Sequence, residues 1–247
     1  MEGRWASPRG QEEWHDGCFR IQGAAVEHLH QLFYDQWVVL GGDVFDAKDP
    51  FYWPLADRNC GEEECTLFTC FPGNPVNLIQ AYFLDLVTYA AEETVIVNPY
   101  LIDKVFWERL KGLPAAEASH IAICNPIAVN DIPMNEKSVR CNMYKPWENG
   151  ITFYDYSKTG RFSHWKIAYD KRSNCVFHGS YNLNTRSAIH DFEMGMLVRS
   201  PSLAGKIKQM IAYDLQQSEK IEDEAEFYKY PLLHPEFYLH AGVRYFC

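Results

Sequence analysis

The sequence predicts an α/β fold in which helices are layered on a sheet. Three observations support this. β-Branched runs such as Thr94-Val95-Ile96-Val97 have the composition of buried strands. Segments such as Leu78 to Tyr89 carry apolar residues at helical spacing. The two kinds of segment alternate along the chain, and that alternation favours layers of helix on sheet.

Taken in order, Met1 to Glu13 are polar and uninformative. Cys18 to Gln22 suit a short strand, which Gly23 breaks. Ala24 to Trp37 then predict a helix with Ala25, Leu29, Leu32, Phe33 and Trp37 on one face. Gly41 to Gly73 mix Gly, Pro, Asp and Cys without a sustained period and predict a long connection. Asn74-Pro75 has the form of a cap followed by a first-turn proline. The helix it would start presents Leu78, Ile79, Tyr82, Leu86 and Tyr89. Strand Thr94–Val97 follows, then a helix over Lys104–Leu110 and a strand over His120–Cys124. Asn125 to Asn149 hold three prolines and predict a long loop or a small inserted element. Ile151–Tyr156, His164–Tyr169, Cys175–Phe177 and Glu193–Val198 predict four further strands. The second and third of these are joined by a polar turn at Asp170–Asn174. A closing helix runs from Ser202, its expected cap, to Gln217.

The 247 residues are 47% hydrophobic, enough for one large domain or two small ones. The formal net charge of -10 makes the chain a poor general binder of phosphate backbones, so nucleic acid is the less favoured partner. A local basic pocket remains compatible with that charge. No run approaches the roughly 18 apolar residues of a membrane span, and Met1 to Trp5 contain no apolar leader. Neither observation assigns a compartment, and peripheral membrane contact stays open. Among the eight cysteines, Cys60, Cys65 and Cys70 are spaced by five rather than as C-x-x-C. They lack zinc-like pairing with histidine and predict free thiols or a loop disulfide.

The chemistry gathers within thirty residues, in His164, Lys166, Ser180, Asn182 and Glu193. His164 and Lys166, two apart on an expected strand, face the same way. An imidazole there can attack phosphorus or protonate a leaving oxygen while the ammonium neutralises developing charge. Ser180 and Asn182 repeat the spacing and could donate to phosphate oxygens, with Gly179 letting the backbone approach closely. Glu193 is the expected acceptor for the second ring nitrogen of His164, within hydrogen-bonding reach.

These residues carry a resemblance. His164-Trp165-Lys166, Asp170, Gly179-Ser180-Tyr181-Asn182, Arg186-Ser187 and Asp191-Phe192-Glu193, with Glu193 eleven after Asn182, resemble the second H-x-K-D block of the phospholipase D superfamily. Ile96-Val97-Asn98-Pro99-Tyr100 resembles the segment before that block in cardiolipin-synthase-like members. Trp14-His15-Asp16 and Phe19 to Val26 resemble the segment that closes a first repeat. The resemblance spans roughly residues 14–217. It implies a mixed β-sheet flanked by helices and no metal or other cofactor, lysine supplying the cation. It also implies a division into residues 1–50, the tail of a preceding repeat; 51–75, a connection; 76–220, the catalytic repeat; and 221–247, a C-terminal tail.

The implied activity is a two-step, phosphohistidine-based exchange on phospholipid head groups or another phosphodiester. Hydrolysis and transfer to an alcohol both fit, and a nuclease or a non-catalytic half-domain is the alternative. His164 is assigned general acid, as for the second-block histidine of many members, with nucleophile as the alternative. The superfamily usually has four residues between Lys and Asp, whereas Ile167-Ala168-Tyr169 are three; Asp170 is taken as the loop-supporting aspartate. No second H-x-K occurs. The partner histidine is therefore expected from a preceding repeat or, less favoured, from a second chain. His164 should accordingly face an open, partly apolar cleft with the Gly41–Gly73 connection nearby.

Overall fold

The computed structural model describes residues 14–46, 61–228 and Pro235. Its elements are α1 (Ala25–Val39), β1 (Glu64–Cys70), α2 (Leu78–Thr88), β2 (Thr94–Val97), α3 (Lys104–Lys111), α4 (Ala115–Ala118), β3 (Ile121–Asn125), α5 (Met134–Asn142) and α6 (Tyr144–Glu148). There follow β4 (Thr152–Asp155), β5 (Ile167–Asp170), β6 (Cys175–Gly179), α7 (Thr185–Ile189), β7 (Glu193–Arg199), α8 (Pro201–Gln217) and β8 (Glu219–Lys220).

The eight strands form one mixed sheet in the order β1-β7-β6-β5-β2-β3-β4-β8. β2, β3 and β4 are parallel, joined by helical crossovers, and every other pairing is antiparallel. The fully buried β2 shows how the layers form. Ile96 points into a core shared with α2 to α6, whereas Val95 and Val97 point into one shared with α8. Strands covered on both faces read as continuous apolar runs, which is why this one was legible. On α8, Ala204, Ile207 and Ile211 form the buried stripe.

Several elements differ from expectation. The Gly41–Gly73 stretch contains β1, a seven-residue edge strand registered on β7 from Glu64↔Arg199 to Cys70↔Glu193. The Asn125–Asn149 stretch contains α5 and α6. Cys18–Gln22 is not a strand; its neighbour His15 forms a single bridge to Ser163. The caps lie a few residues from their expected places. Asn77 rather than Asn74 accepts the Gln80 N–H, and Ser200 rather than Ser202 accepts that of Leu203, with Pro201 opening the helix. On α2 the buried face is Ile79, Phe83 and Val87, while Leu78 and Tyr89 are exposed. Nearly every position of α2 is apolar, so the sheet rather than the periodicity chooses the face. Ile221 and Phe227 pack into the larger core. No residue of α1 is buried.

Cys18, Cys65, Cys70, Cys124 and Cys175 are free thiols, and Cys60 lies outside the described residues. No helix among the described residues is long and apolar enough to cross a membrane.

Candidate active site

The ends of β2, β3 and β6 and the starts of β5 and β7 meet at one end of the sheet. Buried asparagines brace that end. Asn98 donates to the Tyr181 carbonyl and accepts from the Leu183 N–H, fixing the loop after β6 against β2. Asn125 in turn donates to the Asn98 and Pro99 carbonyls. Within the braced loop Tyr181 is buried in the core. Its neighbours Ser180 and Asn182 turn instead into an open cleft of about 580 Å³, also lined by Asp16, His164, Lys166, His178 and Glu193.

His164 and Lys166 lie just before β5, which begins at Ile167. The extended segment still turns both side chains the same way, and the Lys166 Nζ donates to His164 Nε2 and to the His164 carbonyl, each at 2.8 Å. Asp16 Oδ2 lies 3.0 Å from His164 Nδ1. A carboxylate accepts and an ammonium donates, so these partners assign the neutral Nδ1–H tautomer, with the Nε2 lone pair turned to the cation. Trp14, Tyr100 and Phe162 close the other side of the ring, with centroids 5.3, 6.4 and 5.8 Å away.

Lys166 is almost fully buried, and that burial brings its ammonium down to about 8, against the attraction of Asp16, Glu193 and Asp131. Burial acts to raise the Asp16 carboxyl. The hydrogen bonds from His164 and the Gly17 N–H, with the positive charge of Lys166, outweigh it and hold the group below the ordinary aspartate range.

Asp16 comes from 148 residues upstream. The His15 carbonyl accepts from the His164 N–H, and the His15 N–H donates to the Phe162 carbonyl. The His15 ring is held at 2.9 Å by the buried Asp214 of α8 and stacks on Tyr156. Gly17 follows because a Cβ there would lie 2.0 Å from the Trp165 indole nitrogen.

Two expected roles require correction, those of Glu193 and Ser180, whereas Asp170 supports a turn as expected. Glu193 does not orient His164: its oxygens accept from the Ser180 and Ser187 hydroxyls, and both His164 nitrogens are taken by Asp16 and Lys166. Ser180 faces the cleft, but its proton is committed to Glu193 and its oxygen accepts from the Met194 N–H, so it is not a free donor to phosphate. Asp170 sits at the far end of β5, accepting from Arg172 and Ser173 in the hairpin turn. It supports that turn and is remote from the cleft. Asn182 also lines the cleft, and its buried side-chain oxygen has no hydrogen-bond partner among the described residues.

The cleft is open, as expected. Phe192 on its rim stacks on Phe71, which follows β1 in the stretch read as a connection, and both are exposed. Sequence reasoning missed Asp16 and His178 as site residues. Asp16 was visible only inside a recognised segment, and His178 carries no motif.

Residues 83–215 match the family described as "Cardiolipin synthase, PLD-like domain". Cardiolipin synthase 2 of Staphylococcus epidermidis is 25% identical over 221 residues, covering 89% of this chain and 44% of that protein. The probable cardiolipin synthase YwiE of Bacillus subtilis is 21% identical over 216 residues, covering 87% and 42%. The chain thus spans less than half the length of these relatives. Among solved structures, phosphatidylserine synthase of Haemophilus influenzae superposes with a TM-score of 0.55 at 15% identity, over 86% of this chain and 51% of that one. The phospholipase D family member Nuc of Salmonella typhimurium superposes at 0.50 and 12% identity, over 66% and 100%.

Proposed function

This chain belongs to the cardiolipin synthase, PLD-like domain family, and on that premise we propose that its cleft exchanges phosphodiesters on phospholipid head groups through a phosphohistidine at His164. The observation that carries this is the Asp16–His164–Lys166 relay, with its Nε2 lone pair beside a buried cation in an open cleft. That arrangement favours nucleophile over general acid for His164. As the Lys166 ammonium shifts from Nε2 to a phosphoryl oxygen, Nε2 attacks phosphorus, the bond from phosphorus to the leaving oxygen breaks, and that oxygen takes a proton from the histidine of a second repeat or from water. Asp16 stabilises the positive charge that develops on the ring. Lys166 and the Asn182 amide receive the equatorial phosphoryl oxygens. An incoming alcohol, or water, then attacks phosphorus, the P–N bond breaks, and the lone pair returns to Nε2.

A second H-x-K repeat, in a longer chain or a partner, completes the site at full rate. Asp16 sits in the segment resembling the close of a preceding repeat, and Glu193 closes this one. By analogy with Asp16 and His164, Glu193, which lines the cleft without bonding His164, would serve the histidine of the other repeat. The chain alone should therefore turn over weakly.

The test is head-group release from a labelled phospholipid by the chain, with and without an added first repeat, and trapping of an acid-labile phosphoenzyme. Restored release that is lost in His164→Ala is expected. Release that persists in His164→Ala would place the chemistry elsewhere. Cleavage of DNA with no action on lipid would assign the cleft to a nuclease.

A further inference from the structure

We propose that His178 is a second proton-transfer group of this cleft, carried by the chain itself, that takes the proton of the incoming water or alcohol when the phosphohistidine is resolved; this rests on the phosphohistidine reading above. His178 lines the same cleft as His164 and Lys166 but belongs to no motif. It lies near the end of β6, opposite Ile167 on β5 and Met196 on β7. Its Nδ1 is 3.1 Å from the Lys166 carbonyl, and its ring is stacked on Phe19 at 4.4 Å.

That carbonyl only accepts, so Nδ1 must carry a proton in both charge states. The free lone pair of the neutral ring is therefore on Nε2, which has no hydrogen-bond partner among the described residues. One residue, Lys166, thus touches both imidazoles, through Nζ on His164 and through its carbonyl on His178. Burial lowers the His178 ring below the ordinary histidine range, the Lys166 charge adds to this, and the Lys166 carbonyl and Asp16 oppose it. The ring is consequently a neutral base near pH 7. The incoming oxygen gives its proton to Nε2 as its bond to phosphorus forms and the bond from phosphorus to His164 Nε2 breaks. The imidazolium then returns that proton to solvent, or to the next leaving oxygen.

The test uses the chain as it stands with bis(p-nitrophenyl) phosphate, whose phenolate leaves without acid help. A His164-dependent burst of nitrophenolate reports the first step, and the slower steady rate reports resolution. His178→Asn keeps a donor for the Lys166 carbonyl and removes the base. The burst should survive in this variant, while resolution slows about 100-fold, as for loss of a positioned base. The fall in resolution rate at low pH, where the ring is protonated, should disappear. Resolution at the original rate and pH profile would overturn the role of His178 alone. Loss of the burst together with resolution would make His178 a packing residue and overturn the base assignment. Absence of any His164-dependent burst in the unaltered chain would sink the phosphohistidine reading and this proposal together. Imidazole nitrogen NMR of the unaltered chain gives a check independent of any variant. An Nδ1–H tautomer whose Nε2 resonance moves on adding diethyl phosphate is expected; an Nε2–H tautomer would overturn the proposal.

Discussion

Replacing Lys166 by Met should make the protein more stable while removing the proposed phosphodiester exchange. The ammonium is buried, and its folded-state value of about 8 compares with 10.5 for an ordinary lysine. At ~1.4 kcal/mol per tenfold change in proton affinity, keeping that charge in the fold costs about 3 kcal/mol near neutrality. Methionine fills a similar volume without the charge. The substitution also removes the Nζ bonds to His164 Nε2 and to its carbonyl. Water in the open cleft replaces these at a loss of about 1–2 kcal/mol, leaving a net gain of about 1–2 kcal/mol. The sign with pH follows from proton binding. Between about pH 8 and 10.5 the unfolded lysine holds a proton that the folded one has released, so the unaltered protein gains stability as pH rises through that window. The advantage of Lys166→Met should therefore be full below about pH 8 and shrink above it. Urea unfolding of both proteins at about pH 7 and about pH 10 measures this, with the titration of other groups common to both. A variant less stable than the parent at pH 7, or a difference unchanged between the two pH values, would refute the reasoning. The same proton loss should lower the proposed phosphodiester exchange by the unaltered protein above about pH 8.

Three further substitutions probe the surroundings. Asp16→Asn should cut phosphoenzyme formation about 10²–10⁴-fold, with circular dichroism unchanged because the Asp16 side chain is 46% exposed. Gly179→Ala should cost about 1–3 kcal/mol in thermal unfolding: its Cβ would lie 2.3 Å from the Met194 carbonyl oxygen and 2.7 Å from the Gly195 Cα, forcing β6 from β7. Asp214→Ala removes the buried partner of His15. Hydrogen exchange should show the His164 amide, which donates to the His15 carbonyl, losing protection with the global fold intact; retained protection would mean that Asp214 does not pin this segment.

Local pattern was enough for the central strands and for the chemical inventory. Val95, Ile96 and Val97 announce a strand covered on both faces because β-branched residues there have only apolar surroundings to enter. His164 with Lys166, and Asn182, were legible because residues two apart in extended chain share a face whatever the tertiary context. Partnerships across the chain were not legible. Glu193 follows Asn182 at the motif spacing, yet its carboxylate is closed by two serine hydroxyls, and Asp16 reaches His164 from 148 residues away. No periodicity encodes such a contact; the pinning of His15 between Phe162, His164 and Asp214 creates it. β1 was hidden for a related reason, since an edge strand takes its hydrogen bonds from a neighbour remote in sequence. The sequence by itself determined which groups are present and which face together locally. Tertiary structure decided which carboxylate meets which imidazole, because hydrogen bonds between distant segments depend on how the layers pack.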